Sequence, residues 1–302
     1  MTAPTSGETS FTIAPPAYRL PGTMRLGPVR LQIADLKRSI AYYERVIGLR
    51  TAERTSSSAL LAPRDDDTPV VELRERAGAN PIPRRGRLGL FHFAILLPDR
   101  AALGRFLSHL AAIGEYAGAS DHLVSEAVYL NDPDGLGIEV YADRPRSEWR
   151  RDGSSIAMTT LPLDAEGVIR AGGGAPWTGA PKGTRIGHVH LHVSDIDKAE
   201  AFYHAGLGLD KVAVNYPGAL FLSAGGYHHH VGTNTWAAGA APATEADARL
   251  LEWTILLPSP RDVDESAQSL EGAGYRVEKL GSEIVTADPW GTALRITARS
   301  SR

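Results

Sequence analysis

The chain repeats itself, and this internal repeat constrains the fold more than any other feature of the sequence. Residues 29–49 return 160 positions later as residues 189–209. Each copy is an alternating strand followed by a capping Asp, a helix with apolar residues at helical spacing, and a Gly-Leu stop. A second pair, residues 92–98 and 252–258, recurs at the same offset. The chain is therefore a tandem duplication in which each half contains two related units.

The repeat divides the chain into a flexible tail, four units numbered in chain order, and a connector between the halves. The predicted bounds are 1–22 for the tail, 24–80, 86–143, 185–236 and 249–299 for units one to four, and 144–184 for the connector. Each unit is predicted to contain a strand, a helix and further strands. The alternation of strands and helices therefore predicts an α+β protein.

A predicted hairpin in unit two contains one charged residue in an unusual place. Segments of β-forming residues at 124–130 and 138–141 flank the turn Asp-Pro-Asp-Gly at 132–135. Glu139 alternates with its apolar neighbours, so its side chain faces opposite to theirs. On a packed face, the carboxylate must either be neutralised or be ionised against a cation. We interpret Glu139 as a metal ligand; an exposed glutamate on a solvated strand face is the alternative.

Comparing equivalent positions of the units supports this interpretation. The two middle units carry two imidazoles and one carboxylate on predicted strands, namely His92, Glu139 and His188. The outer units hold a non-ligand, Pro28, and a cation, Arg295, at matching places. Taken singly, His92 is better explained as a core histidine than as a ligand, and a solvated strand face also accounts for His188. Their coincidence at related positions favours a shared site.

Two neutral imidazoles and one carboxylate form a facial set of ligands that leaves three positions of a divalent ion open. Such a set suits non-haem Fe(II), with Mn(II) as the alternative. The open positions allow a bidentate ligand and dioxygen to bind together. The sequence thus predicts a redox-capable metal centre built by residues of units two and three.

Composition excludes several other classes of protein and site. The net charge is −3 with no basic block, which argues against nucleic acid and anionic membrane surfaces as partners. The absence of cysteine excludes disulfides, thiolate metal sites and a cysteine nucleophile. No apolar run approaches 18 residues and no signal pattern begins the chain, so a soluble cytoplasmic protein is expected. A homo-oligomer is compatible with the sequence.

At this point the chain resembles the vicinal oxygen chelate (glyoxalase/bleomycin resistance/dioxygenase) superfamily. The resemblance is carried by Gly187-His188 with the downstream Asp195, by the segments 89–98 and 227–236, and by Tyr129 ten residues before Glu139. Within that superfamily the chain is most similar to type I extradiol dioxygenases of the catechol 2,3-dioxygenase kind. The resemblance implies four βαβββ modules paired into two domains.

By that resemblance, His92, His188 and Glu139 would bind the metal, and Tyr129 would hydrogen-bond a substrate oxygen. The metal would be Fe(II), with Mn(II) as the alternative. The partners would be a small aromatic diol and O₂.

The resemblance also implies an acid–base group among the three consecutive histidines at 228–230. His229 is the preferred choice and His230 the competing one, because alternate strand residues face opposite sides. His122 is a further candidate polar group near the substrate, although its spacing departs from the family pattern by two residues.

Units two and three are expected to build the site together, leaving units one and four as a structural pair. Pairing of units one and two in sequence is the alternative, and it would place His92 and Glu139 far from His188.

The expected activity is extradiol ring cleavage. One alternative is a lyase or isomerase of the glyoxalase kind, with His230 as a fourth ligand and Ni(II) or Zn(II). The other is a metal-free ligand-binding resistance protein. Aromatic residues that suit a substrate pocket are Tyr216, Phe221, Trp236 and Trp290, with core packing as the preferred interpretation.

Overall fold

Strands form most of the regular structure in the computed structural model, which describes residues 12–83, 86–153, 155–213 and 216–299. The strands are β1 (Arg25–Ile33), β2 (Arg50–Arg54), β3 (Ser58–Ala62), β4 (Val71–Glu75), β5 (Gly89–Leu96), β6 (Gly118–Asp121), β7 (Ser125–Asn131), β8 (Gly137–Asp143), β9 (Arg151–Asp152), β10 (Ser155–Ile156), β11 (Arg185–His192), β12 (Asp210–Ala213), β13 (Ala219–Ser223), β14 (Val231–Asn234), β15 (Arg249–Leu257), β16 (Val277–Leu280), β17 (Glu283–Ala287) and β18 (Ala293–Ala298).

The helices are short and pack on the outside of the strands. They are α1 (Leu36–Tyr42), α2 (Arg100–Ile113), α3 (Ala165–Ala171), α4 (Ile196–Ala199) and α5 (Pro260–Gly272). Within the described ranges, none of them has the length and apolar character that a membrane crossing requires.

Two eight-stranded sheets contain nearly all of these strands. Sheet I has the order β12-β13-β14-β11-β5-β8-β7-β6, and sheet II has the order β16-β17-β18-β15-β1-β4-β3-β2. Sheet I is joined at its centre by the antiparallel pair β5–β11, and sheet II by the antiparallel pair β1–β15. This architecture confirms the predicted fold class, an α+β fold of four βαβββ modules paired into two domains.

The repeated strand–helix segment has the same local structure in both copies. Asp35 and Asp195 cap helices α1 and α4, accepting hydrogen bonds from the backbone N–H groups of Arg38 (2.9 Å) and Lys198 (3.1 Å). Both helices then widen into π-helical segments, Tyr43–Ile47 and Glu200–Gly206. The first segment ends at Gly48, whose φ of 79° requires a residue without a side chain.

The turn between β7 and β8 is built around a buried carboxylate. Oδ1 of Asp132 accepts hydrogen bonds from the backbone N–H groups of Asp134 and Leu136, both at 2.9 Å. Burial raises the pKa of Asp132 to about 7, although these hydrogen bonds oppose the rise. The turn sets the register in which Tyr129 lies opposite Glu139.

The second half of the segment predicted as a flexible tail makes defined contacts with the rest of the chain. Ile13 forms a backbone bridge to Lys211, and the guanidinium of Arg19 donates two hydrogen bonds to the carboxylate of Asp210 at 2.7 and 2.5 Å. Asp210 is buried, so its charge requires a cation and holds this segment in place. Residues 1–11 of the predicted tail lie outside the described residues.

The connector between the halves also forms structure. Helix α3 packs on α2 so closely that a Cβ at Gly104 would lie 2.1 Å from the carbonyl oxygen of Val168. The short strands β9 and β10 precede residues 158–160, which line a cavity on sheet I. The connector therefore contributes to the site described next.

Candidate metal centre

The central strands of sheet I bring three sequence-predicted residues together. His92 lies on β5, Glu139 on β8 and His188 on β11. In the strand register, Ala94 has His188 on one side and Glu139 on the other. A methyl group at this central position separates the two longer side chains without filling the space above it.

The ligand atoms of these residues form a small, nearly equilateral triangle. Oε2 of Glu139 lies 3.0 Å from Nε2 of His92 and 3.2 Å from Nε2 of His188. The two Nε2 atoms are 3.3 Å apart. All three residues are buried, with exposed fractions of 5, 3 and 1% for His92, Glu139 and His188.

These residues fit a divalent metal ion. Adjacent ligands of an octahedral ion with bonds of about 2.1 Å lie roughly 3 Å apart, which is close to the edges of this triangle. Two ring nitrogens and a carboxylate oxygen so close together present lone pairs to one another, and a shared cation relieves that repulsion. Three ligands on one face leave the opposite face for other molecules.

The protonation states also suit metal binding. Burial lowers the pKa of His188 to about 4, so its imidazole is neutral near pH 7. Burial alone would raise the pKa of Glu139, but the neighbouring imidazoles of His188 and His92 outweigh it and hold the pKa well below its ordinary value. Neutral imidazole and ionised carboxylate are the forms that bind metal ions.

A cavity of about 250 Å³ opens beside the three ligands. His92, Glu139, Tyr129 and His229 contribute polar atoms to its wall. Its apolar lining comes from strands, loops and the connector: Phe91, Val124, Met158, Tyr216, Phe221 and Trp236. The arrangement is typical of a small-molecule site, in which apolar walls surround a few convergent polar groups.

Three of the four aromatic residues singled out from the sequence line this cavity. They are Tyr216, Phe221 and Trp236. Trp290 lies elsewhere, where its indole N–H donates to Oγ of Ser194 at 2.7 Å. The sequence alone does not tell which of these four aromatic residues line the cavity, because it carries no information on which aromatic side chains lie next to one another in the structure.

Tyr129 and His122 form a hydrogen-bonded pair in the cavity wall. Nδ1–H of His122 donates to the carbonyl oxygen of Thr159 at 2.8 Å. Neutral His122 therefore presents its Nε2 lone pair, which accepts the hydroxyl proton of Tyr129 at 2.5 Å. Burial, and then the nearby charge of Glu139, raise the pKa of Tyr129, so the hydroxyl stays protonated.

Of the three consecutive histidines, His229 is the one that lines the cavity. Its ring lies against that of His188, with centroids 4.0 Å apart. His230 faces away, and its Nδ1 accepts a hydrogen bond from the backbone N–H of Ala224 at 3.3 Å. His230 lines a second, polar cleft that also contains Arg25 and Arg185.

One polar network near the ligands was not predicted from the sequence. His190 also lines the cavity, with its ring centroid 5.0 Å from that of His92. Asn234 bridges two histidines of β11, donating to Nε2 of His190 at 2.9 Å and accepting from Nδ1 of His192 at 2.7 Å. The sequence did contain a signal for this network: His188, His190 and His192 are spaced two residues apart, which places all three on one face of the strand.

Comparisons with known proteins identify relatives of the chain. The family model described as "Glyoxalase/Bleomycin resistance protein/Dioxygenase superfamily" matches residues 25–140 and 185–292. A Catechol-2,3-dioxygenase of Bacillus subtilis (strain 168) is 45% identical over 268 residues, which cover 87% of this chain and 93% of that protein.

Two solved structures show the same fold. One is a protein of Bacillus subtilis subsp. subtilis str. 168 that is provisionally described as a dioxygenase, with a TM-score of 0.66, 14% identity and coverage of 94% of this chain and 87% of the other. The other is glyoxalase I from Zea mays, with a TM-score of 0.53, 16% identity and coverage of 91% of this chain and 92% of the other.

Proposed function

The chain belongs to the Glyoxalase/Bleomycin resistance protein/Dioxygenase superfamily, and from this premise we propose that it is an extradiol dioxygenase that opens a catechol ring with O₂. The observation that carries the proposal is the triangle of His92, Glu139 and His188 beside a cavity of about 250 Å³. The similarity to a Catechol-2,3-dioxygenase over most of both chains supports it.

In this proposal His92, His188 and Glu139 hold the metal ion. Fe(II) suits the ligand set, and Mn(II) is the alternative. When bound, the ion would acidify a coordinated phenol and allow electrons to pass from the diol to O₂. The protein supplies the neutral imidazoles and the carboxylate that favour a divalent ion, and it excludes bulk water by burying all three.

The other polar residues of the cavity position the diol and move its protons. The Tyr129 hydroxyl can rotate from His122 to donate to a substrate oxygen, and Nε2 of His122 is placed to receive the proton that Tyr129 gives up. His229, across the cavity and against His188, is the second acid–base group. Such help contributes roughly 10²- to 10⁴-fold in rate.

The shape and charge of the cavity indicate the type of diol. Among the described residues that line it, Glu139 is the sole charged one, and none is lysine or arginine. A ring substituent with its own carboxylate would be buried without a cation, which is costly. A cavity of about 250 Å³ also suits a single ring. We therefore favour catechol and small alkylcatechols as substrates.

The lyase or isomerase alternative requires His230 as a fourth ligand. His230 instead accepts a hydrogen bond from Ala224 and lines the second cleft, so the geometry favours three protein ligands. A metal-free binding protein would gain nothing from burying two imidazoles and a carboxylate within 4.8 Å of one another.

Oxygen uptake tests the proposal. The purified protein is loaded anaerobically with Fe(II) and then mixed with catechol, 4-methylcatechol or 3,4-dihydroxybenzoate in air-saturated buffer. We expect one O₂ consumed per diol with a yellow semialdehyde-type product, and kcat/KM at least about 100-fold lower for the carboxylated ring because its charge lacks a partner. Product formation without O₂, or no uptake with any diol, would contradict the proposal.

A further inference from the structure

A chain of hydrogen bonds leads from Asp143 through His228 to His229. Nε2 of His228 lies 2.9 Å from Oδ1 of Asp143, at the end of β8. Nδ1 of His228 lies 2.8 Å from Nδ1 of His229. Both ring nitrogens of His228 are therefore engaged, one by a carboxylate and one by the neighbouring imidazole.

The direction of these hydrogen bonds follows from the chemistry of the groups. An ionised carboxylate only accepts, so Nε2 of His228 carries a proton and donates it to Asp143. Neutral His228 then has a bare Nδ1, which accepts from Nδ1–H of His229. Consequently the lone pair of His229 is on Nε2, the one ring nitrogen that His228 leaves free.

The ring of His228 is tightly enclosed. The residue has no exposed surface, and its ring lies between those of Tyr227 (centroids 4.1 Å apart) and Trp149 (5.3 Å). The same enclosure leaves the ring little freedom to rotate away from its two partners.

Two tyrosines hold Asp143 in place. The hydroxyl of Tyr227 donates to Oδ1 of Asp143 at 3.1 Å, and the hydroxyl of Tyr141 lies 2.6 Å from that of Tyr227. Because Tyr227 gives its proton to Asp143, Tyr141 must be the donor to Tyr227. Oδ1 of Asp143 is thus a fixed acceptor for both Tyr227 and His228.

We propose that Asp143 and His228 are positioning residues that hold His229 in its Nδ1–H tautomer, with Nε2 as the base toward the substrate. Their catalytic consequence rests on the proposed ring-cleavage function, whereas the tautomer itself does not.

Nuclear magnetic resonance tests the tautomer directly. Long-range ¹H–¹⁵N correlation spectra of full-length protein labelled with [¹⁵N]histidine, recorded with diamagnetic Zn(II), distinguish protonated from bare ring nitrogens. We expect a proton on Nδ1 of His229 and on Nε2 of His228, and a mixture of His229 tautomers in His228→Phe. Nε2–H as the dominant form of His229 in the wild type overturns the proposal, whatever the activity.

Kinetics test the consequence. His228→Phe keeps the ring volume but removes both nitrogens, so we expect kcat to fall about 10- to 100-fold with KM within about twofold and with iron content unchanged. His204→Phe is the matched control: His204 is also buried but donates from Nδ1 to the carbonyl oxygen of Leu209, outside the cavity lining. A merely structural role would affect the two variants alike. Full kcat in His228→Phe overturns the positioning role.

Asp143 offers a conservative rescue. In Asp143→Asn the amide oxygen can still accept from His228 and Tyr227, whereas Asp143→Leu has no acceptor. We expect the Asn variant to keep most of kcat and the Leu variant to lose it, with equal melting temperatures as the condition for comparison. Equal kcat in the two variants overturns the role of Asp143. If the wild type cleaves no diol, the proposed function fails and the spectra alone decide the tautomer.

Discussion

The two sheets share one architecture but differ completely in the chemistry at their centres. In sheet I, His190 of β11 lies opposite His92 of β5. In sheet II, Arg30 of β1 lies opposite Glu252 of β15 at the corresponding point of the register. The carboxylate residue Glu139 likewise corresponds to a cation, Arg295, in the repeat.

In sheet II, the charged side chains at the centre of the sheet pair with one another. The guanidinium of Arg30 lies 2.7 Å from Oε2 of Glu72 and 3.0 Å from Oε1 of Glu252. Nε of Arg295 lies 2.8 Å from Oε1 of Glu252, and its Nη1 pairs with Glu283. Each carboxylate therefore has a guanidinium partner from the protein itself.

Sheet I instead leaves its ligand atoms unneutralised. The position of Glu72 in the repeat is Gly232, where a Cβ would lie 3.0 Å from the ring of His190. Loss of a side chain at this point makes room for an imidazole, and loss of the arginines leaves Glu139 without a permanent cation. The same scaffold thus pairs its charges internally in one half, whereas in the other half it presents three side chains that fit a divalent metal ion.

The strongest test removes the carboxylate of sheet I. We expect Glu139→Ala and His188→Ala each to lose bound iron and at least about 100-fold of activity. Removing a metal ligand reduces metal affinity more than removing a residue that only hydrogen-bonds to a ligand. Metal per chain is measured by plasma mass spectrometry after Fe(II) loading. Glu252→Gln, which changes a buried carboxylate in sheet II, is expected to keep its iron. Stoichiometric iron in either sheet I variant would refute the ligand assignment.

A second test concerns the residue opposite each central position. Tyr129 faces Glu139 in sheet I, whereas Val285 faces Arg295 in sheet II. Tyr129→Phe removes one hydroxyl, and we expect kcat to fall roughly 100-fold with iron retained, since proton transfer is affected and the ligands are not. Steady-state oxygen uptake measures this effect, and Val285→Ala provides the control. An unchanged kcat would remove Tyr129 from the mechanism.

Acid should weaken sheet I more than sheet II. All ten histidines lie between residues 92 and 230. Burial lowers the pKa of His188 to about 4 and that of His230 to about 3, below the value of about 6.5 expected in the unfolded chain. Between those values the unfolded chain binds more protons, so stability present above about pH 6.5 is lost as pH falls toward 4.

Hydrogen exchange on metal-free protein checks this difference. From pH 7 to 5, after correction for intrinsic rates, we expect strands of sheet I to lose about 1 to 2 kcal/mol of protection per buried histidine relative to sheet II. Asp132 and Asp288 occupy matching turns, and burial raises the pKa of both, so their opposite effect largely cancels in the comparison. Equal losses in the two sheets would contradict the expectation.

The smallest expected effect is on the stability of sheet II. Glu252→Gln replaces a carboxylate that two arginines share, and we expect the free energy of unfolding to fall by about 1 to 3 kcal/mol, because the guanidinium groups lose a partner while remaining partly exposed. Urea denaturation measures the change, with Glu265→Gln in the exposed pair with Arg261 as the control. A loss of activity at unchanged stability would show that sheet II takes part in catalysis.

The sequence predicted the fold because the repeat makes each strand–helix boundary visible twice. It also brought His92, Glu139 and His188 forward as a group, since the four units could be compared with one another. Their metal-binding role stays a prediction, as do the bounds of the units. The structure adds that the three side chains lie close together.

What the sequence did not reveal depends on register and on segments outside the repeat. Met158 and Thr159 lie in the connector, which has no second copy for comparison, yet they line the cavity. The pairing of Asp143 with His228 joins residues 85 apart in the sequence. Local periodicity carries no signal for such a contact, because it depends on how a loop passes over a strand end.

The order of strands in the two sheets has a consequence for synthesis. Sheet I takes its strands from the middle of the chain, β5 to β8 and β11 to β14, whereas sheet II combines strands from both ends of the described chain, β1 to β4 and β15 to β18. As the polypeptide leaves the ribosome, sheet I can therefore form while strand β1 still lacks its partner β15. During that interval β1 has an unpaired edge that promotes aggregation, so chaperone binding would matter most for sheet II.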